Sequence, residues 1–209
     1  MPRVLLTGFE PFGGESVNPS WEAVRLLASE PDVSTVRLSC VFGTALDELR
    51  AAVERTDPTL VVCVGQAGGR TDLTVERVAI NLDDARIPDN AGQQPIDRPI
   101  VPDGPAAYFS SLPVKACVAA ARGTGLPASV SHSAGTFVCN HVAYGLAHLI
   151  ATERPGLRGG FVHIPFAPEQ VLDGQRPSLA IPAVAEGLRA IVSTALNGQE
   201  ITEVGGALH

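Results

Sequence analysis

The sequence predicts an α/β protein, a three-layer α/β/α arrangement in which helices flank a mainly parallel, twisted sheet. Three observations carry this. Short apolar runs alternate with helical patterns along the 209 residues. The run "TLVVCVG" (59–65) is apolar throughout, as suits a central parallel strand covered on both faces. No internal repeat or low-complexity linker interrupts the pattern, and the 45% hydrophobic content suffices for one sizeable core. The expectation is a single α/β domain over residues 1–209, with a polar, glycine-rich tail from 197 that frays.

The elements follow in order. "RVLLTGF" (3–9) reads as a strand. Asn18-Pro19 supplies an N-cap and a first-turn proline for a helix over 20–28. A second strand is expected over 34–42, and Thr44 as the cap of a helix over 45–55. After the apolar strand 59–65, "LTVERVAIN" (73–81) reads as one strand, followed by a long Pro/Gly loop to Gly104. Helices are expected around 105–111 and over 114–122, a strand over 128–134, and a helix beginning near Cys139 and running to about 154. The last strand is "GGFVHIPF" (159–166), and the last helix spans 182–196.

Composition narrows the function. Net charge is −7, with no run of Lys or Arg, which disfavours nucleic-acid and anionic-membrane partners. "MPRVLLTGF" reaches Gly8 and Glu10 too soon for a secretory signal, and no stretch approaches membrane-spanning length. The four cysteines, Cys40, Cys63, Cys117 and Cys139, form no CxxC pair, so neither a zinc knuckle nor a disulfide framework is expected. A reduced, cytoplasmic setting fits them.

Carboxyl ends of strands are where such sheets place ligands. Cys139, in "AGTFVCNHVAYGLAH", falls in the first turn of a helix, where free amides and the partial positive charge favour a thiolate. A small core cysteine at a tight turn is the plain alternative. A nucleophile needs a base. His141 and His148 share the helix of Cys139 but not its side or its reach, and His132 lies inside a strand. His163 ends an apolar strand and is the better placed, although a core histidine bonded to a carbonyl would look the same. Glu76 shares a strand face with Val78, Ile80 and Leu82, a costly place for an unpaired carboxylate. Arg77 points to the other face; a histidine would be a good partner, since the carboxylate would orient its ring. A solvated edge position is the alternative. "GQAGGR" (65–70) follows a strand but lacks nucleotide-loop spacing. "TGFEPFGG" (7–14) puts Phe9 and Phe12 at the sheet's carboxyl edge, as an apolar wall or as ordinary core.

The segments "LLTGFEPFGG", "SVNPSWEAV", "VGQAGGRTDLTVERVAINLDDARIPDNAGQQP", "SAGTFVCNHVAYG" and "GGFVHIPFAPEQ" together resemble the cysteine-type pyroglutamyl peptidase family, in order and spacing from about Val4 to Gln170. The resemblance implies removal of N-terminal pyroglutamate from peptides, with Cys139 as nucleophile, His163 as general acid/base and Glu76 orienting the histidine. It also implies a pocket of Phe9, Phe12, Ile87, Phe137 and Val138, with Gln66 at the lactam or the reacting carbonyl, help at the oxyanion from Arg86, no metal or organic cofactor, and a homo-oligomer, tetrameric in many microbial relatives. A cysteine amidase for another small amide and a non-catalytic ligand-binding protein of this fold are the alternatives. Nothing transfers to the 96–104 loop, to the tail or to His132.

Overall fold

The computed structural model describes residues 3–207 of the chain. The extreme ends of the expected domain and tail, Met1, Pro2, Leu208 and His209, lie outside the described residues. Among the described residues, eight strands and five α-helices follow in the order β1 (Val4–Phe9), α1 (Pro19–Arg25), β2 (Val33–Leu38), α2 (Thr44–Thr56), β3 (Leu60–Gln66), β4 (Leu73–Glu76), β5 (Val78–Ile80), β6 (Ala107–Phe109), α3 (Val114–Gly123), β7 (Ala128–Ser131), α4 (Val138–Thr152), β8 (Arg158–Ile164) and α5 (Ile181–Asn197). Six strands form one sheet in the order β2-β1-β3-β8-β4-β7. Its pairings are parallel except β4 against β8, where Thr74 faces His163 and Val75 faces Val162. β5 and β6 make a separate antiparallel ribbon.

Strand alternation divides the core. Val4, Leu6, Val62, Val64, Val162 and Ile164 pack with α1, α3 and α5 on one face. Leu5, Val61, Cys63 and Phe161 pack with α2 and α4 on the other. These are the three layers the sequence predicts, and β3 is buried at Leu60 through Gly65, as its apolar run requires.

Several boundaries differ, each for a hydrogen-bonding reason. The second strand stops at Leu38, because the Glu48 carboxylate takes the Ser39 amide and hydroxyl (2.7 Å each) and Glu10 takes the Cys40 amide (3.0 Å). Cys40 therefore lies in a loop, not within a strand. Gly43, at φ 74°, holds the N-cap position of α2, and Thr44 is its first helical residue with no side-chain cap. The single strand expected over 73–81 breaks at Arg77, whose N–H bonds Ser131 while its carbonyl accepts from Ser110. Pairing thereby switches from β7 to a new partner. That partner is Ala107–Phe109, a strand where a helix was expected. The strand expected over 128–134 ends at Ser131, leaving His132 exposed beyond it. Asn18 caps α1 as predicted, with Oδ1 accepting from the Ser20 amide at 3.1 Å. Within the tail, the Glu200 carboxylate accepts from the Lys115 and Ala116 amides.

Candidate active site

The site lies at the carboxyl ends of β1, β3 and β8, on the sheet face covered by α2 and α4. α4 begins at Val138 with Phe137 as its N-cap, so Cys139 is the second helical residue and its amide is one of the free donors of the first turn. His163, near the end of β8, pairs in register with Gly65 of β3. A methyl group on Gly65 would come within 2.7 Å of Cys139 Sγ and 2.8 Å of Phe161 Cζ. The absent side chain is what lets the thiol settle over the sheet beside the histidine strand.

Glu76 reaches His163 from an unusual direction. Because β4 runs antiparallel to β8 and Thr74 faces His163, Glu76 stands diagonally below the ring, on the same sheet face. Its Oε1 is 2.7 Å from His163 Nδ1. Nδ1–H donates to the carboxylate, which leaves Nε2 with the lone pair. Phe161 packs against the ring at a centroid distance of 4.8 Å. Arg70 was not singled out in the sequence, yet its Nη1 donates to the same Glu76 oxygen at 2.7 Å. The only hint was a cation six residues before a strand carboxylate. The carboxylate is 2% exposed, so a second partner matters.

A cavity of about 220 Å³ joins these groups. Its lining includes Cys139, His163, Arg70, Gln66, Phe9, Phe12 and Phe137, together with Asn18 and Cys40, which sequence reasoning had read only as a cap and an inert thiol. Asn18 Nδ2 donates to the Glu10 carbonyl at 2.9 Å and so pins the Phe9–Phe12 loop. Phe137 packs edge-on against Phe42 and lies near Phe12. Gln66 Oε1 accepts from Gln170 Nε2 at 3.1 Å. Three of the expected residues stand elsewhere. The Val138 side chain turns into the core and is fully buried, as the residue after the cap of a helix lying on the sheet. Ile87 and Arg86 line an adjoining cavity that shares Phe12 and Gln66 with the first. Among the described residues, the other histidines are occupied or remote: His141 bonds Asp83 at 2.8 Å and accepts from the Gly43 amide, His148 bonds the Tyr108 hydroxyl, and His132 is exposed.

Electrostatics modify the picture drawn from the helix start. Burial pushes the Cys139 thiol up, and neighbouring Cys40 and Glu76 add to this; Arg70 opposes it. Burial likewise pushes His163 down, against the raising effect of Glu76. Burial alone would raise Glu76, but the His163 hydrogen bond and then the His163 and Arg70 charges hold it below the ordinary carboxylate value. Burial thus disfavours the charged forms of Cys139 and His163, while Glu76 is held toward its carboxylate form. These directions run against the thiolate that the helix start alone suggests. Among the described residues, no group of three or more His, Cys, Asp or Glu side chains could hold a metal ion, and no helix is long and apolar enough to cross a membrane.

A thiol at a helix start shares a small cavity with a carboxylate-backed histidine on a three-layer α/β/α frame, and similarity to known proteins puts the chain among the cysteine peptidases. More specifically, a profile described as pyroglutamyl peptidase matches residues 2–198, and the chain belongs to that family. It is 63% identical to a pyrrolidone-carboxylate peptidase of Streptomyces coelicolor and 57% identical to one of Enterobacter sp. strain 638, each match covering 100% of both chains. A crystal structure of Bacillus amyloliquefaciens pyroglutamyl peptidase I superposes with a TM-score of 0.93 at 48% identity, covering 96% of this chain and 100% of that one. Pyrrolidone carboxyl peptidase from the hyperthermophile Pyrococcus furiosus superposes at 0.88 with 40% identity, covering 93% and 98%.

Proposed function

We propose that this chain removes an N-terminal pyroglutamyl residue from peptides through a thioester acyl-enzyme, with Cys139 as nucleophile, His163 as acid/base and Glu76 as the group that orients His163. The observation that carries the reading is the shared cavity: thiol, imidazole and three phenylalanines around about 220 Å³. Pyroglutamate is a closed lactam with no amine to protonate, so a compact apolar slot with few polar groups suits it. Phe9, Phe12 and Phe137 supply walls. The Gln66 carbonyl is engaged by Gln170, which leaves its amide N–H for a lactam or scissile carbonyl. Ile87 extends the apolar wall in the adjoining cavity. Val138 supports the slot from the core side.

In this reading Cys139 Sγ attacks the carbonyl after the ring as its proton passes to His163 Nε2. The Cys139 amide, at the start of α4, stabilises the oxyanion, with Arg86 from the adjoining cavity as a second donor. Collapse breaks the C–N bond, and His163 returns the proton to the departing amine. His163 then takes a proton from water, whose oxygen attacks the thioester; hydrolysis releases pyroglutamate and restores the thiol.

The chain acts as one domain, both helical layers packing on a single sheet. Four free thiols favour a reducing, cytoplasmic setting. Exposed Phe109, Ile96 and Leu172, at 77%, 71% and 89%, favour a homo-oligomer, a tetramer by analogy with the family. The test is hydrolysis of pyroglutamyl, glutamyl and prolyl chromogenic amides. Only the first is cleaved, a chelator has no effect, and Cys139→Ala abolishes turnover. Comparable prolyl cleavage, or an active Cys139→Ala variant, defeats the reading.

A further inference from the structure

Arg70 is the permanently charged side chain of the cavity, the chemistry above finds no use for it, and its bonding is too specific for a solvated cation. It comes from the loop after β3. Its Nη1 donates to Glu76 Oε1 at 2.7 Å and also to the Thr74 hydroxyl; its Nη2 donates to the Ser133 carbonyl at 2.9 Å. Ser133 belongs to the segment that leads into Cys139. One guanidinium therefore ties the strand carrying the carboxylate to the loop that leads into the thiol's helix, while its side chain, 26% exposed, lines the cavity between them. The fork geometry that makes three such bonds is available to Arg and not to Lys.

We propose that Arg70 is a positioning residue for the reaction: it fixes the Glu76 carboxylate beneath His163 and supplies the permanent positive charge that balances the thiolate–imidazolium stage. The proposal rests on the peptidase reading above. Two observations support it. Both donors to Glu76, His163 Nδ1 and Arg70 Nη1, converge on Oε1, while buried Oε2 has no partner. The adjacent Ser131 hydroxyl donates to the Ser133 carbonyl. Without Arg70 the carboxylate would keep the His163 bond, with only the Ser131 hydroxyl beside it, and could turn. The second observation is charge. The titratable groups beside Cys139 and His163 are Glu76 from β4, Cys63 from β3 and Cys40 from the loop after β2, and Arg70 is the cation that acts on Cys139, His163 and Glu76. Once the thiol proton has passed to His163, two anions meet two cations; with Arg70 gone, two anions would meet one.

The sign of the effect is fixed. Arg70 lowers both the Cys139 thiol and the His163 imidazolium. Its removal makes both groups hold protons to higher pH, so the acid and alkaline limbs of the kcat/KM profile move together to higher pH. A loosened scaffold would lower kcat and leave the limbs where they were.

The experiment compares wild type, Arg70→Gln and Arg70→Lys by pH profiles of kcat/KM on a pyroglutamyl amide and by pH profiles of Cys139 alkylation with iodoacetamide. Arg70→Gln is expected to lower kcat about 10- to 100-fold, with KM within about threefold, as suits loss of a charge-assisted bond made to the reacting constellation. Both limbs and the alkylation midpoint should move up by about one pH unit. Arg70→Lys keeps the charge without the fork, so its limbs should coincide with wild type while kcat stays reduced. Superimposable limbs in Arg70→Gln, or limbs in Arg70→Lys that follow Arg70→Gln, overturn the proposal. Should Arg70→Gln fail to fold, as judged by its melting transition, full wild-type kcat in Arg70→Lys overturns it instead. Alkylation needs no substrate, so a chain that cleaves no pyroglutamyl amide would defeat the peptidase reading while the alkylation midpoints still judge Arg70.

Discussion

Gly65 is the residue on which the site's closeness depends. It pairs with His163 across β3 and β8, and a methyl there would meet Cys139 Sγ at 2.7 Å and Phe161 at 2.8 Å. Both are side-chain atoms, so the fold can yield, but only by moving the thiol or the ring packed on His163. Overpacking of this kind costs about 1–3 kcal/mol. Displacing a reacting atom by a few tenths of an ångström costs more in rate than in stability. Gly65→Ala is expected to fold, with a modestly lower denaturation midpoint, and to lose about 100-fold or more in kcat/KM; near-normal turnover would mean that the thiol has room the packing denies it. Residue type and position led to Cys139, His163 and Glu76 in the sequence, since a helix start, a strand end and a carboxylate among apolar neighbours can each be read locally. Arg70 could not be read in that way. Its partnership with Glu76 exists because β4 runs against β8, and strand direction is not encoded in local pattern.

At the scale of elements, the alternation of apolar runs and helical patterns was sufficient for β1, β3, β8, α3, α4 and α5. It failed where backbone pairing changes partner. The run 73–81 alternates like one strand, and nothing in it marks Arg77 as the point where pairing passes from β7 to the β5–β6 ribbon. The stretch 105–111 has helical spacing but pairs as an exposed edge, with Phe109 77% exposed. The tail looked structureless by composition, yet it supplies a cap that α3 lacks. Pro113 at the N-cap offers no side-chain acceptor, and Glu200 Oε1 and Oε2 take the Ala116 and Lys115 amides at 2.8 and 3.1 Å. Removing such a cap costs about 0.5–2 kcal/mol, and the exposure of Glu200 argues for the lower end. Glu200→Ala should lower stability in urea by that amount with unchanged kcat/KM, because α3 lies on the sheet face opposite the thiol cavity. An unchanged urea midpoint would mean that the tail contributes nothing to α3.

Across the whole molecule, the three-layer burial that makes one thiol useful makes all four costly to ionise. Burial is the first cause in each case. Cys40, beside Glu10 and Asp89, is pushed up to about 12; Cys63 reaches about 12 although the nearby Thr7 hydroxyl lowers it; Cys117, near Glu200, also reaches about 12; and Cys139 is raised as well. An unperturbed cysteine thiol titrates at about 8.5 to 9. An acid whose folded value is raised stabilises the fold below its unfolded value, and that contribution is lost as pH rises, because the unfolded chain releases a proton that the folded chain keeps. Each thiol then removes about 1.4 kcal/mol of stability per pH unit between about 9 and 12. Cys117 isolates the effect. It is fully buried between α3 and α5, its Sγ 3.8 Å from the Ile191 carbonyl, and it stands away from the cavity. Cys117→Ala should be somewhat less stable at pH 7 from lost packing, with unchanged turnover. Its stability, measured by urea unfolding under reducing conditions from pH 8 to 10.5, should fall more shallowly than wild type by about one proton's worth of slope. Parallel curves for the two proteins would show that the Cys117 thiol ionises as readily folded as unfolded, and that the interior around it is far more permissive to charge than its packing implies.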